Sequence, residues 1–396
     1  MRFSSRVNAI AGKTVSAWDI HFAAYDAQKR GEDVILLSVG DPDLDTPAPV
    51  VEAAIAALRA GDTHYTDIPG RPALRAAIAR DYQRRNAMAV ASDNVIVFAG
   101  AQNALYTAAQ CLFEPGDEVV ALDPAYLTYQ AVVGASGATL TRAAPSSDGR
   151  LRPLAASIAA AITPRTRALL FANPNNPSGV VMTRDELAAI AALAKQHDLW
   201  VIVDEVYAAL TFERPHVAFA ALPEMAARTV AVGSLSKSHA MTGWRCGWAI
   251  APPELVRHMG NCSIAMVYGL PGFVMQGALE AVEATDAIAA EMRAIYLRRR
   301  ELVYAALAPL PGLRCMKPEA GMFMLIDVRA TGLDAEDFAW GLYREHGVSL
   351  IPASAFGACL EGHVRLCFAM KDERLEEACR RIARFVAAHR PALAAE

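Results

Sequence analysis

Four polar segments of this 396-residue sequence carry residue types that could perform chemistry on a small molecule. They are Asn-Pro-Asn-Asn-Pro-Ser-Gly at 173–179, Asp-Glu-Val-Tyr at 204–207, Ser-Leu-Ser-Lys at 234–237 and Thr-Gly-Trp-Arg at 242–245. A lysine suits covalent and proton-transfer chemistry because its pKa falls readily when it is buried. An arginine binds carboxylate or phosphate groups through its planar fork of donors. If the fold brings the segments together, they can bind an anion and move protons.

Short β-rich runs alternate with alanine-rich helical runs through the middle of the chain. Predicted strands cover 94–98, 118–122, 168–172, 200–204, 229–233 and 246–250, and predicted helices cover 102–112, 126–135, 184–197 and 271–284. Several strands are nearly unbroken apolar runs, which is typical of a parallel sheet covered by helices on both faces. Thr183, with Glu186 three residues later, predicts a capping box for the third helix. The alternation predicts an α/β domain with a mostly parallel sheet.

The pattern changes after about residue 290. Predicted helices at 291–307, 335–345 and 372–388 now alternate with only two predicted strands, at 321–328 and 364–368. This arrangement predicts a second, smaller α+β domain. We therefore expect a large domain over 46–290 and a small domain formed by 1–45 and 291–396.

Polar, aromatic or cationic residues follow directly after five predicted strands, where ligands bind in open parallel sheets. These segments are 99–102, 123–126, 173–179, 204–207 and 234–237, and Arg245 lies eight residues beyond the last of them. Each segment alone has an ordinary explanation. Gly100 and the segment 173–179 could form turns, Asp204 could cap a helix, and Lys237 and Arg245 could be solvated charges. Five strands that all direct such residues to one rim are better explained by one shared site.

The order and spacing of these segments resemble those of the fold-type-I, pyridoxal-5′-phosphate-dependent aminotransferases of classes I and II. The resemblance extends from Val-Gly-Asp-Pro at 39–42 to Arg365 in His-Val-Arg-Leu-Cys-Phe-Ala, which is nearly the whole chain. It implies a three-layer αβα large domain and pyridoxal 5′-phosphate as the cofactor. It also implies that an amino acid and a 2-oxo acid are the substrates.

The resemblance assigns roles around the cofactor ring. Lys237 matches the lysine that binds the cofactor covalently and later moves a proton, and Asp204 matches the carboxylate that keeps the ring nitrogen protonated. Asn176 and Tyr207 match the pair that hydrogen-bonds the phenolic oxygen of the cofactor. We therefore count Tyr207 among the catalytic residues, with Lys237 and Asp204. Tyr126 matches the aromatic residue that stacks on the ring, although a core tyrosine would also fit that position.

The resemblance also implies a phosphate site shared by two loops and two subunits. Backbone N–H groups at a helix start and side-chain donors from the opposite loop bind the phosphate in relatives. The matching residues are Ala101, Gln102, Ser234, Ser236 and Arg245. Tyr65 matches a tyrosine that reaches the phosphate from the neighbouring subunit. If this carries over, each active site needs two chains and the enzyme is a homodimer.

Substrate recognition is implied at both ends of the amino acid. Arg365 resembles the arginine that grips the α-carboxylate, with Asn176 beside it, and Gly40 lies in the segment that closes over the same group. Asp19 and Asp67 lie in segments that relatives place near the pocket mouth, where a carboxylate could pair with a cationic side chain. A solvated charge and a turn residue explain these two aspartates equally well.

Three segments, 17–21, 37–49 and 236–245, are together similar to arginine–pyruvate transaminases within the family. This similarity implies a basic donor, with L-arginine as the first candidate, and pyruvate as an acceptor in a ping-pong reaction. An aspartate or aromatic aminotransferase and a β-eliminating lyase on the same fold stay open as alternatives, since the cofactor residues alone do not choose the reaction. For a transcription regulator with this domain we would expect a basic winged-helix module before residue 40.

Composition excludes several other classes. With 38 basic and 42 acidic residues, the chain lacks the positive field of a nucleic-acid binder. Seven cysteines without a Cys-x-x-Cys pair fit neither a disulfide scaffold nor a zinc ribbon and suit a reducing compartment. The two uncharged stretches, 95–113 and 259–279, contain polar and helix-breaking residues that are costly in lipid. We therefore expect a cytoplasmic enzyme without a metal, a nucleic-acid partner or a membrane contact.

Overall fold

A computed structural model describes residues 3–4, 6–11 and 15–389. The α-helices in this part of the chain are α1 Arg6–Ala11, α2 Asp19–Lys29, α3 Ala48–Arg59, α4 Pro72–Asn86, α5 Ala101–Leu112, α6 Tyr129–Ser136, α7 Ala155–Ala161, α8 Arg184–Gln196, α9 Pro253–Met266, α10 Gly272–Glu283, α11 Thr285–Leu307, α12 Ala335–His346 and α13 Asp372–Ala388. The strands are β1 Ile35–Leu36, β2 Val95–Phe98, β3 Glu118–Leu122, β4 Thr139–Ala143, β5 Thr166–Ala172, β6 Trp200–Asp204, β7 Thr229–Ser234, β8 Gly247–Ile250, β9 Arg314–Met316, β10 Phe323–Asp327, β11 Val348–Ser349, β12 Ile351–Pro352 and β13 His363–Cys367.

The centre of the molecule is a seven-stranded sheet in the order β2-β8-β7-β6-β5-β3-β4. Strands β7, β6, β5, β3 and β4 pair in parallel, and β8 pairs antiparallel with both β7 and β2. The prediction of a mostly parallel sheet is confirmed. Strand β4 at the edge was not predicted, because its Thr-Leu-Thr-Arg-Ala sequence is only partly buried and mixes polar with apolar residues.

Helices cover both faces of this sheet, as the apolar strands predict. Helices α5, α6 and α9 pack on one face of the sheet. The other face is covered by two groups of helices, α3, α4 and α10 at one end of the sheet and α7 and α8 at the opposite end. The three-layer αβα architecture is therefore confirmed. Its parallel strands direct their carboxyl ends to a single rim.

The C-terminal part builds a second, smaller sheet. Strands β12, β13, β10 and β9 form an antiparallel sheet, and β1 from the N-terminal segment pairs in parallel with β11. Residues of α11, α12 and α13 share one core with β10 and β13. The pairing of β1 with β11 agrees with a small domain built from both ends of the chain, and the exact division at 45/46 and 290/291 stays a prediction.

Two helix starts illustrate what the local sequence does and does not determine. The capping box before α8 is confirmed, because Thr183 Oγ1 accepts from the Glu186 backbone and the Glu186 carboxylate accepts from the Thr183 backbone. The predicted start of α6 at residue 126 is wrong, since α6 begins at Tyr129. The Ala125 N–H instead donates to the Phe356 carbonyl at 2.8 Å, which holds this segment in a loop. This distant contact leaves Tyr126 outside the helix.

Within the described ranges, no helix combines the length and the apolar character that a membrane span requires.

Candidate active site

A cavity of about 320 Å³ opens at the carboxyl ends of the central strands, and this volume is large enough for a small cofactor. It contains every predicted site residue except three. Those in its lining are Gly40, Ala101, Gln102, Tyr126, Asn176, Asp204, Tyr207, Ser234, Ser236, Lys237, Arg245 and Arg365. The five loops that the sequence directs to one rim therefore do form one site.

One end of the cavity is built to bind an anion. Gly100 adopts a positive φ of 84° before α5, whose first residues Ala101 and Gln102 line the cavity with their backbone N–H groups still free of helical partners. Ser234 Oγ donates to Ser236 Oγ at 2.9 Å, and the Arg245 guanidinium lies within van der Waals distance of Gly100. Donors from both loops thus converge on the start of α5.

Asp204 ends β6 with its carboxylate held by two donors. Tyr129 Oη donates to Oδ2 at 3.1 Å and the Val206 N–H donates to Oδ1 at 3.3 Å. Burial raises the pKa of Asp204 to about 6, against the lowering effect of these donors and of Lys237. Tyr129 is completely buried and was not predicted as a site residue. Its spacing of three residues from Tyr126 was the available signal, but the misplaced start of α6 obscured it.

Lys237 lines the cavity beside Gly40 from the N-terminal segment. Its Nζ donates to the backbone carbonyl of Gly40. Burial, supported by the charges of Arg245 and Arg365, lowers the pKa of this amine below its ordinary value. A neutral amine can attack a carbonyl carbon and accept a proton, so the environment of Lys237 suits both tasks.

Aromatic and amide groups also line the cavity. Tyr207 is buried and Tyr126 half-buried, and desolvation raises the pKa of both phenols above the ordinary value. Each hydroxyl is therefore a hydrogen-bond donor at neutral pH. Asn176 also lines the cavity and contacts Arg365 through its Oδ1.

Arg365 is the largest fully buried side chain of the described residues, with only 1% of its surface exposed. Its guanidinium donates to Asn176 Oδ1 at 3.2 Å and to the Ser38 carbonyl at 2.7 Å, and it lies 4.2 Å from the centre of the Phe323 ring. Its buried Nε has no partner among the described residues. An uncompensated buried donor is costly, so this group favours an anionic ligand in the cavity.

Three predicted site residues lie elsewhere in the single chain. Tyr65 is 89% exposed and borders a separate cavity with residues 269–273. Asp67 is exposed near it, and Asp19 is exposed in the first turn of α2. Trp18, the residue before Asp19, does line the main cavity, as does Asp41, whose Oδ1 accepts from Thr242 Oγ1 at 2.7 Å. Sequence patterns singled out neither Trp18 nor Asp41.

The lining fits the cofactor that the resemblance implies. Pyridoxal phosphate needs a lysine for covalent binding, a carboxylate for its ring nitrogen and donors for its phosphate. Lys237, Asp204 and the start of α5 supply these groups within the same cavity. Arg365 Nε, without a partner among the described residues, leaves one further cationic donor for an anion. Fold and site together define a fold-type-I pyridoxal-phosphate enzyme.

Comparisons with known proteins agree with this class. The model of the family "Aminotransferase class I and II" matches residues 32–382. An arginine–pyruvate transaminase of Pseudomonas aeruginosa is 50% identical over 97% of this chain and 98% of its own length. An aspartate/prephenate aminotransferase of Thermus thermophilus is 35% identical over 96% of this chain and 98% of its own length.

Solved structures give the same result. The Thermus thermophilus aspartate aminotransferase with maleate superimposes with a TM-score of 0.92 at 34% identity, and the match covers 97% of this chain and 100% of that one. The chain therefore belongs to the class I and II aminotransferases. It is a pyridoxal-phosphate-dependent transaminase.

Proposed function

We propose that this enzyme transfers the α-amino group of L-arginine to pyruvate in a ping-pong reaction. The observation that carries the proposal is the 50% identity, over nearly the full length of both chains, to a protein named arginine–pyruvate transaminase. The segments 17–21, 37–49 and 236–245 each contribute residues to the lining of the cavity.

The charges in the cavity favour a donor without a second carboxylate. Among the described lining residues the cations are Lys237, Arg245 and Arg365, and each is matched to the cofactor or the α-carboxylate. Gln102, at the opposite end from Arg365, is neutral, and its Oε1 accepts from Thr128 Oγ1 at 2.9 Å. Among the described lining residues of one chain, no further cation is left to pair the second anion of a dicarboxylate. This arrangement disfavours the aspartate aminotransferase alternative.

The proposed roles follow the contacts of each residue. When bound, pyridoxal phosphate supplies a ring that withdraws electrons from the substrate Cα. Lys237 Nζ would take the proton from Cα and return it to the neighbouring carbon of the cofactor. Asp204, held by Tyr129 and Val206, would keep a proton on the ring nitrogen. Arg365 would orient the α-carboxylate, and Tyr207 would donate a hydrogen bond to the phenolic oxygen.

We further propose that carboxylates at the cavity mouth receive the guanidinium of the donor. Asp19 follows Trp18, which lines the cavity, and is free of ion pairs among the described residues. Asp67 would approach from the partner subunit, together with Tyr65. Charge-assisted hydrogen bonds from a guanidinium to such carboxylates are strong enough to select arginine over a neutral side chain.

Donor selectivity can be measured in single turnovers. We expect L-arginine to bleach the visible absorbance of the holoenzyme with a higher ratio of rate constant to dissociation constant than L-aspartate, L-alanine or L-phenylalanine. The four donors share the α-carboxylate, so differences report on the side-chain pocket alone. If L-aspartate or L-phenylalanine exceeded L-arginine tenfold, the basic-donor proposal would fail while the transaminase assignment would stand.

A homodimer with shared active sites is the second part of the proposal. Tyr65 packs on Tyr268 with ring centroids 5.2 Å apart, although both side chains remain at least half exposed. Ile264, Met266 and Val267 are also exposed next to them. A contiguous exposed apolar patch of this kind is typical of an interface. We propose that a second copy covers it and receives Tyr65.

Mixed dimers test this arrangement sharply. Lys237→Ala and Tyr65→Ala chains are each expected to give poorly active homodimers. If Tyr65 serves the partner's site, mixing and reassembling them creates dimers with one intact and one doubly defective site, so activity returns. If Tyr65 served its own chain, no intact site could form and the mixture would stay as inactive as its components.

A further inference from the structure

A second group of polar side chains is buried directly behind the cofactor site. Glu205 follows Asp204 at the end of β6 but lies among residues of the opposite face of the sheet, with only 6% of its surface exposed. His216, from the loop after β6, and Tyr82, from α4, are buried beside it. None of these three residues lines the cofactor cavity.

Each of the three side chains leaves a polar atom unsatisfied. Glu205 Oε1, His216 Nε2 and Tyr82 Oη have no hydrogen-bond partner among the described residues. Glu205 Oε1 and His216 Nε2 are 3.7 Å apart, which is too far for a direct hydrogen bond. A cavity of about 50 Å³ lies against all three residues, and this volume exceeds what one water molecule needs.

This inner cavity adjoins a larger cleft. It shares Arg85, Asn86, Ala208, Ala209, His216 and Thr285 with an outer cleft of about 870 Å³ between α4, α11 and the loop after β6.

Several ionisable groups surround Glu205. The groups that face it from the surrounding elements are Asp204, Asp81, Tyr82, Arg85, His216 and His239. Arg85 is paired with Asp81, and His239 is occupied by Ser238 and Thr285. Burial lowers the pKa of His216 to about 3, so its imidazole is neutral. Burial raises the pKa of Glu205 to about 8, against the lowering effect of Tyr82, Arg85 and the Phe219 backbone, and Asp204 adds slightly to the rise.

We propose that Glu205 keeps its proton at neutral pH and donates a hydrogen bond to one bound water, which in turn donates a hydrogen bond to His216 Nε2. His216 also hydrogen-bonds the backbone of Asn173, and Nε2 is free, so Nδ1 is the donor to that loop. The neutral unit thereby connects the end of β6 to the loop that carries Asn176. Asp204 stays the single charged carboxylate at the strand end and remains available to the cofactor nitrogen. Glu205 is a positioning residue, and its role is independent of which donor the enzyme uses.

Infrared difference spectroscopy on the holoenzyme tests the proposal directly. At pH 7 the wild type should show the C=O stretch of a protonated carboxyl group that Glu205→Gln lacks, and this band should shift in D₂O. Glu283→Gln makes the same change at a carboxylate that is 57% exposed and should leave the band intact. In the wild type alone the band should disappear as the pH rises through about 8. A spectrum without such a band, or a band that survives in Glu205→Gln, would overturn the proposal.

Thermal stability provides a readout that mere loss of a contact would not reproduce. When a carboxyl group has a higher pKa in the folded state than in the unfolded state, the protein becomes less stable as the pH rises from the unfolded-state pKa to the folded-state pKa. The Tm of Glu205→Gln minus that of the wild type should therefore increase between about pH 5 and 8, by roughly 1–2 °C per pH unit, and then level off. Glu283→Gln should show a flat difference. A flat difference for Glu205→Gln as well would mean that Glu205 is ionised throughout.

Discussion

Lys237→Ala should purify with pyridoxal phosphate bound but fail to turn over. The covalent link and the proton transfer at the substrate Cα both depend on Nζ, so one substitution removes two contributions at once. Proton transfer by a positioned side chain alone is worth about 10²–10⁴-fold. We therefore expect a loss of kcat/KM of at least ~10⁴-fold, measured with L-arginine and pyruvate. The anion site at the start of α5 is untouched and should retain the cofactor.

The control for this variant is Lys195→Ala, which removes an exposed lysine of α8 that pairs with Glu224 on the surface. It should leave kcat/KM unchanged. Cofactor content, measured by absorbance after denaturation, separates lost chemistry from lost binding. If Lys237→Ala kept activity within tenfold of the wild type, the catalytic role would have to belong to another residue.

The position of the site was predictable because it depends on strand order and local sequence. Apolar runs such as 118–122 and 200–204 match β3 and β6 in full, and parallel strands must end at one edge. Thr183 and Glu186 act within a single turn, so their capping box was equally predictable. These features need only neighbours in sequence or the general geometry of a parallel sheet.

The features that were missed depend on contacts between distant parts of the chain. Tyr129 reaches Asp204 across 75 residues, and the α6 start that permits this is set by a backbone bond to Phe356. Trp18 enters the cavity because its segment packs against a core cluster that contains Leu325 and Ile351, more than 300 residues away in sequence. In the sequence, Glu205 is only the second residue of an Asp-Glu-Val-Tyr segment. Its burial on the face opposite Asp204 has two causes, which are the alternation of side chains at the end of β6 and the loop that carries His216.

Arg365→Lys should weaken every amino-acid substrate, whatever its side chain. The guanidinium already donates to Asn176 Oδ1 and the Ser38 carbonyl, and it still has its buried Nε for the substrate carboxylate. A lysine would offer three protons from a single point to the same three acceptors, and it cannot reproduce the planar fork. Removing one partner of a buried charged pair costs about 2–5 kcal/mol. We therefore expect KM to rise and kcat/KM to fall by roughly 10²-fold or more.

Measuring several donors separates the α-carboxylate contact from contacts to the substrate side chain. L-arginine, L-alanine and L-phenylalanine share only the α-amino acid group, so a lost α-carboxylate contact must affect all three by a similar factor. Arg329→Lys is the matched control, because Arg329 is 65% exposed, pairs with Asp327 in the same domain and does not line the cavity. An unchanged KM for all three donors would place the carboxylate contact at another residue. A rise for L-arginine alone would instead assign Arg365 to the side-chain pocket, which its burial between Asn176 and Phe323 argues against.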